Sequence, residues 1–162
     1  MQAAAWVLQK GDHVFVFAQS GFRGVVADHD SFSEKFAFPP ARANLARAVR
    51  QALKSSKHFD PNKMGWDAID EFMDELAPLR HEEFVNQALA ATGIKTKNAF
   101  YKGCKACSID QIDDQLTIKP TMDGKGGWGK HQPADDQYRY CAVDASDEEL
   151  QQAVLEALEI SR

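Results

Sequence analysis

Cysteine is scarce in this chain: three residues, an odd number, in 162. That is too few for a disulfide framework and fits reduced thiols in a cytoplasm. Long hydrophobic runs are missing too, and the apolar runs that exist fall far short of a membrane span. The first residues carry no basic n-region, so no leader peptide is expected. Low-complexity segments and clear internal repeats are lacking. No second C-x-x-C accompanies Cys104-x-x-Cys107, and His13, His29, His58, His81 and His131 keep no ligand spacing.

What is present is the composition of an ordinary globular domain. Apolar residues make up 44% and charged residues 27%, so a chain of this length builds its core without staples. One domain over residues 1–162 is expected. The formal charge of -5 is unevenly spread. Residues 1–60 carry eight Lys/Arg against five Asp/Glu, net +3. Residues 61–143 are net -3 and residues 144–162 net -5. An acidic second half argues against nucleic acid as the main ligand and suits a basic partner; a merely solvated face is the plainer reading.

Residues 104–128 are the stretch around which the chain is organised. Two alternating runs, 104–109 and 116–121, flank Asp113-Asp114, the pattern of a β-hairpin. Pro120 has no N–H to give a ladder and belongs at an edge or a strand end. A first hairpin is expected from residues 3–8 and 13–18 around Lys10-Gly11-Asp12. In its second run both faces are apolar, as in a strand inside a sheet. Residues 19–38 read as a long irregular loop. A helix is expected after Pro39-Pro40, with Leu45, Val49 and Leu53 inward and Arg42, Arg47, Arg50 and Lys54 outward. A second helix, residues 66–77, carries Trp66, Ile69, Met73 and Leu76 on one stripe, acids on the other side, and stops at Pro78. A third, 81–92, ends at Gly93, and residues 95–102 fit one more helical turn. Residues 138–143 alternate as a strand. The last helix opens on Ser146 and Glu149, which have capping-box spacing, and buries Leu150, Val154 and Leu158. The fold class is α+β: an antiparallel or mixed sheet of about five strands covered by amphipathic helices.

Three chemical patterns weigh little. Residues 124–130 fit G-x-x-x-x-G-K, but His131 stands where a phosphate loop needs Ser or Thr, and no helical pattern follows. Cys104 and Cys107 could be half a zinc site with Cys141 and His131; residues three apart on a strand point to opposite faces, which favours buried thiols. Asp28-His29-Asp30 could offer acid–base groups from the long loop, but no marked nucleophile accompanies it.

The order of motifs in the second half carries more. Lys95-Thr96-Lys97-Asn98, Tyr101-Lys102, the run 104–109, Leu116-Thr117-Ile118-Lys119-Pro120-Thr121, Gly127-Trp128 and Ser146-Asp147-Glu148-Glu149-Leu150 resemble the immunity proteins of bacterial contact-dependent growth inhibition systems. The resemblance covers residues 95–162; the first 60 match in general layout. It implies a cytoplasmic bacterial protein that binds and blocks a delivered toxin domain, often a nuclease. It further implies an α+β fold, no enzymatic activity and no cofactor. Toxin-contacting residues lie outside the shared motifs. Acidic complementarity to a basic nuclease site points instead to Asp110, Asp113, Asp114, Asp123, Asp135 and Asp136 as the partner-binding set. Trp128 either packs back onto the sheet or anchors the interface. A small enzyme using residues 19–38 and a nucleic-acid module using the Arg42–Lys54 helix are the alternatives.

Overall fold

Gly11-Asp12 and Asp113-Asp114 are the two tight turns from which the sheet grows. Gly11 (φ 54) and Asp113 (φ 51) both take left-handed backbone, which glycine adopts freely and aspartate tolerates. The computed structural model describes residues 3–41, 43–121 and 135–161. In it β1 (Ala3–Lys10) and β2 (His13–Ser20) close on the pair Lys10↔His13. β3 (Val26–Ala37) returns along β2. β4 (Lys105–Ile112) and β5 (Gln115–Pro120) close on Ile112↔Gln115, and β6 (Arg139–Ala142) lies along β5. β1 then pairs with β4, giving one antiparallel sheet in the order β3-β2-β1-β4-β5-β6. Two three-stranded meanders are thus joined back to back.

The sixth strand lies in the stretch that reads as a loop. Val26–Ala37 is half polar and charged, as suits the outer edge of a sheet. Its pairing also jumps, from Ala18↔Asp28 to Phe17↔Ser33. That bulge breaks the period-2 pattern by which a strand is recognised.

Helices cover both faces. α1 (Asn44–Ser55) follows the proline pair, and α2 (Pro61–Met64) is a single turn capped by Asp60. α3 (Trp66–Asp70) runs without a break through a π-helical segment (Glu71–Leu76) into α4 (Ala77–Thr92). Pro78 therefore does not end a helix. The π turn just before it, closed by Ala77 N–H to Phe72 O, relaxes the ladder where Pro78 has no N–H to give. The same turn shifts the apolar stripe: Ile69 is buried, but Trp66 and Leu76 are exposed. α4 ends at Gly93 (φ 70), and α5 (Lys97–Tyr101) supplies the short turn expected there. α6 (Asp147–Ile160) opens with Ser146 Oγ accepting from Glu149 N–H at 3.2 Å.

α1 and α6 lie on one face. Leu45, Val49, Leu150, Val154 and Leu158 interlock there with Val7, Val16, Ile109 and Ile118. Arg50 is not a solvated residue of α1. Its Nη1 donates to Val143 O at 2.6 Å, its Nη2 to Ala145 O and its Nε to Asp147 at 3.1 Å, tying α1 to the start of α6. Arg47 pairs with Glu34, so the basic face expected on α1 is largely engaged; Arg42 lies outside the described residues. Leu150, Val154 and Leu158 are at most 1% exposed. Leu150→Ala and Leu158→Ala are each expected to cost about 2–5 kcal/mol, read as a shift of denaturant midpoint at constant slope. Wild-type midpoints would show that α6 is not packed on the sheet.

Candidate functional site

The opposite face is aromatic. Leu8, Phe15 and Phe17 pack against Phe84, Val85 and Ala88 of α4 and Phe100 of α5. Rings leave gaps that branched aliphatic chains fill. Here the gap is a cleft of about 540 Å³. Trp6, Phe17, Gln19 and Ala27 line its sheet side, and Pro78, His81 and Tyr101 its helix side. The lining is apolar but for these polar tips. Gln19 is only 8% exposed, and its Oε1 meets no donor.

A chain of hydrogen bonds borders the cleft. His29 Nε2 lies 3.1 Å from His81 Nδ1, and His81 Nε2 lies 2.9 Å from the Tyr101 hydroxyl. His29 stacks on Phe84 with centroids 4.2 Å apart. Burial lowers its pKa to about 3, helped by His81 and opposed by Asp28. Burial, then Lys97, lowers that of His81.

Asp28-His29-Asp30 is not a solvated loop triad. Asp28 is buried and accepts from Ser20 Oγ and Ser31 Oγ, each at 2.6 Å, and from Ser31 N–H. Asp30 pairs with Arg80 at 3.1 Å. Asp28 thus fastens β3 to β2, while His29 and Asp30 fasten β3 to α4.

The acids expected to bind a partner are not one cluster. Asp113 and Asp114 are exposed at the β4–β5 turn, and Asp144 is exposed beside them, since Val143 N–H bonds Asp114 O. Asp136 is exposed at the other end of the sheet, ahead of β6, and Asp135 shares its 3₁₀ turn. Asp110 is not a surface acid: it is 7% exposed and bound to Lys119 Nζ at 2.7 Å. A strand position facing the sheet interior explains this; a charge there needs a partner. Asp123 and Trp128 lie outside the described residues, as do residues 124–130 and His131. The helix carries further acids outside that set. Asp67, Asp70, Glu71, Asp74 and Glu75 are all exposed. Trp66 meets Phe22 edge-on at 5.1 Å, just past the end of β2. The register puts that end of β2 on the same side of the sheet as Asp113-Asp114. Their spacing of three and four was the available signal.

The family model described as CDI immunity protein matches residues 3–161. The chain belongs to that family. The match extends the resemblance found in residues 95–162 to the whole fold. Over 141 residues it is 27% identical to immunity protein CdiI-YPIII of Yersinia pseudotuberculosis serotype O:3, covering 78% of this chain and 79% of that protein. Two solved structures share the fold. One is a protein of unknown function from Neisseria meningitidis, at TM-score 0.85 and 22% identity, over 99% of this chain and 95% of that one. The other is the CdiA-CT/CdiI toxin and immunity complex from Yersinia pseudotuberculosis, at TM-score 0.83 and 24% identity, over 99% and 97%.

The motif residues of this immunity protein have structural work. β5 ends at Pro120, opposite Cys107, so the backbone of Ala106 just beyond the ladder needs other partners. Thr121 N–H and Oγ1 donate to Ala106 O, and Ser161 Oγ accepts from Ala106 N–H at 2.8 Å. Cys104 and Cys107 belong to the cores on opposite faces. Burial raises the Cys104 thiol to about 11 and the Cys107 thiol further, so neither is a ready ligand or nucleophile at neutral pH. Among the described residues no group of His, Cys, Asp or Glu could hold a metal ion. A chelator and a reductant should each leave the melting temperature unchanged; a drop of several degrees with either would contradict this geometry.

His29 is neutral in the fold but binds a proton below about pH 6.5 once unfolded. Its contribution to stability is therefore whole above that pH and is lost as pH falls toward about 3. Denaturation from pH 7.5 to 4.5 should show stability falling by up to about 1.4 kcal/mol per pH unit from this proton. His29→Phe should flatten the slope; parallel slopes would assign the loss to other groups.

Proposed function

We propose that this chain neutralises the toxin domain encoded with it, a nuclease, by forming a tight one-to-one complex in the bacterial cytoplasm, and that it catalyses no reaction. The family match over residues 3–161 carries this reading. The toxin and immunity complex from Yersinia supports it, since a fold like this one was solved there against a toxin.

The cleft and the acidic end of the sheet are the binding surface in this reading. The cleft offers an apolar recess with a few polar groups in its wall, the usual form of a recognition site. Asp113, Asp114, Asp144 and the α3 acids project at one end of the sheet. A nuclease site is basic because it holds phosphates, so acids there speed encounter and fix orientation. Asp136 and Asp135, at the far end, contribute less. No helix among the described residues is long and apolar enough to cross a membrane.

The test is co-expression with the toxin domain encoded upstream, with complex formation measured by size exclusion and association rates by stopped flow. Wild-type protein should protect the cells, and association should slow as salt rises. Asp113→Asn with Asp114→Asn, and Asp67→Asn with Asp70→Asn, should each slow association mainly, whereas Ala27→Phe, which fills the cleft, should speed dissociation. Death of cells carrying the wild-type protein, with no complex formed, would end the assignment. Full protection and unchanged rates in all three variants would move the interface elsewhere.

A further inference from the structure

We propose that His29, His81 and Tyr101 form a clasp that holds the walls of the cleft together, and that one proton added to the two imidazoles releases it. The clasp spans three elements. His29 sits on edge strand β3, inside the bulge where residues 29–32 have no partner on β2. His81 sits on α4 and Tyr101 on α5. The contacts at 3.1 Å and 2.9 Å therefore tie the strand to one helix and that helix to the next. His81 and Tyr101 also line the cleft, so loosening the clasp changes its wall.

The proton count gives the switch. Each neutral imidazole carries one proton on one of two nitrogens. The contact between His29 Nε2 and His81 Nδ1 needs one proton between them. In the neutral pair His29 Nε2–H donates to His81 Nδ1, and His81 Nε2–H donates to the Tyr101 oxygen. His29 Nδ1 is then a bare lone pair, buried with no partner among the described residues. An added proton has two outcomes. It puts an N–H on His29 Nδ1, where no acceptor stands, or it sets two N–H donors face to face across the central contact. Either state strands a buried donor or breaks the bond.

The surrounding charges do not rescue the cation. On β3, Asp28 favours it, but its oxygens already accept from Ser20 and Ser31. Asp30 pairs with Arg80, which also holds Glu83. On α5, Lys97, itself paired with Glu82, opposes a second positive charge at His81. From β2 the facing residue is Phe17, which does not titrate, and Cys104 near Tyr101 is a buried thiol. Phe84 stacks on both imidazoles, 4.2 and 5.8 Å between centroids. The pair thus stays closed only while neutral. Each pH unit below about 6.5 raises the open population about tenfold per proton taken up.

The bearing on immunity rests on the cleft being part of the toxin-binding surface; the opening itself does not. Hydrogen exchange of the full chain, without any toxin, separates the two. At pH 4.5, after correction for intrinsic rates, amides of residues 77–85 should exchange at least tenfold faster than at pH 7.5, while those of α6 keep their protection. His29→Phe keeps the ring stack but cannot titrate, and should abolish the difference. His29→Gln, which removes the same titrating ring, should do the same if the first variant folds poorly. Equal corrected rates at both pH values in the wild type would overturn the proposal. So would a tenfold difference that persists in a folded variant.

Discussion

The ladder between β1 and β4 is the interaction on which the rest of this structure depends. It runs from Ala3↔Gln111 to Gln9↔Lys105 and joins residues about a hundred positions apart. Within each meander the strands pair with their neighbours in sequence, but neither meander has two covered faces without the other. β1 supplies side chains to both cores, Ala5 and Val7 to one and Leu8 to the other. The ladder's backbone is pinned at both ends by hydroxyls from distant segments. Ser56 Oγ, just past α1, accepts from Ala4 N–H at 2.9 Å. Ser161, just past α6, and Thr121, just past β5, satisfy Ala106. Closing so long a loop costs chain entropy before any contact repays it, so the ladder must come with its full set of partners.

That dependence explains what the sequence made legible. Elements whose residues answer to local rules were readable: both hairpins from their turns, α1 and α6 from spacing and caps. Their signal lies within one turn or one pair of strands. What was missed depends on partners far along the chain. β3 looks like a loop because it is an edge with a bulge, and only β2 reveals it as a strand. Pro78 looks like a helix end because the π turn that accommodates it has no sequence signature. Arg50 looks solvated because its three acceptors lie more than ninety residues away. The acidic end of the candidate site is half visible: the Asp113-Asp114 turn is legible locally, and only the sheet register puts the end of β2, against which α3 packs through Phe22 and Trp66, at the same end of the sheet. The cleft was invisible, since it is a space between β1, β2 and α4.

The two faces of the sheet divide stability from adaptability. The α1/α6 core is mostly Ala, Val, Leu and Ile, side chains of few rotamers, with Cys107 and Cys141 among them and Phe32, Phe36 and Phe38 at its margin. The other face relies on large rings, two neutral histidines and hydrogen bonds between their edges. Rings cannot fill irregular space as small branched chains do, and each polar edge must find a partner in a dry setting. The result is a layer with a cleft, an unpartnered Gln19 carbonyl and an unpartnered His29 nitrogen.

For the proposed toxin complex this division has a physical logic. An inhibitor gains affinity when its binding surface is held in place before encounter, because ordering costs are then already met. The sheet does that for Asp113 and Asp114, whose turn is clamped between two ladders, β4–β5 and β5–β6, with Val143 N–H on Asp114 O. Charges on so stiff a base steer a basic partner with little loss of freedom on binding. The cleft beside them lies against the looser aromatic layer, where a wall can move by changing one hydrogen bond rather than a packed core. Rigid acids for encounter and an adjustable apolar recess for retention are separate demands. A sheet with one tightly packed face and one aromatic face can meet both, because a change on the second leaves the first, and the β1–β4 ladder between them, intact.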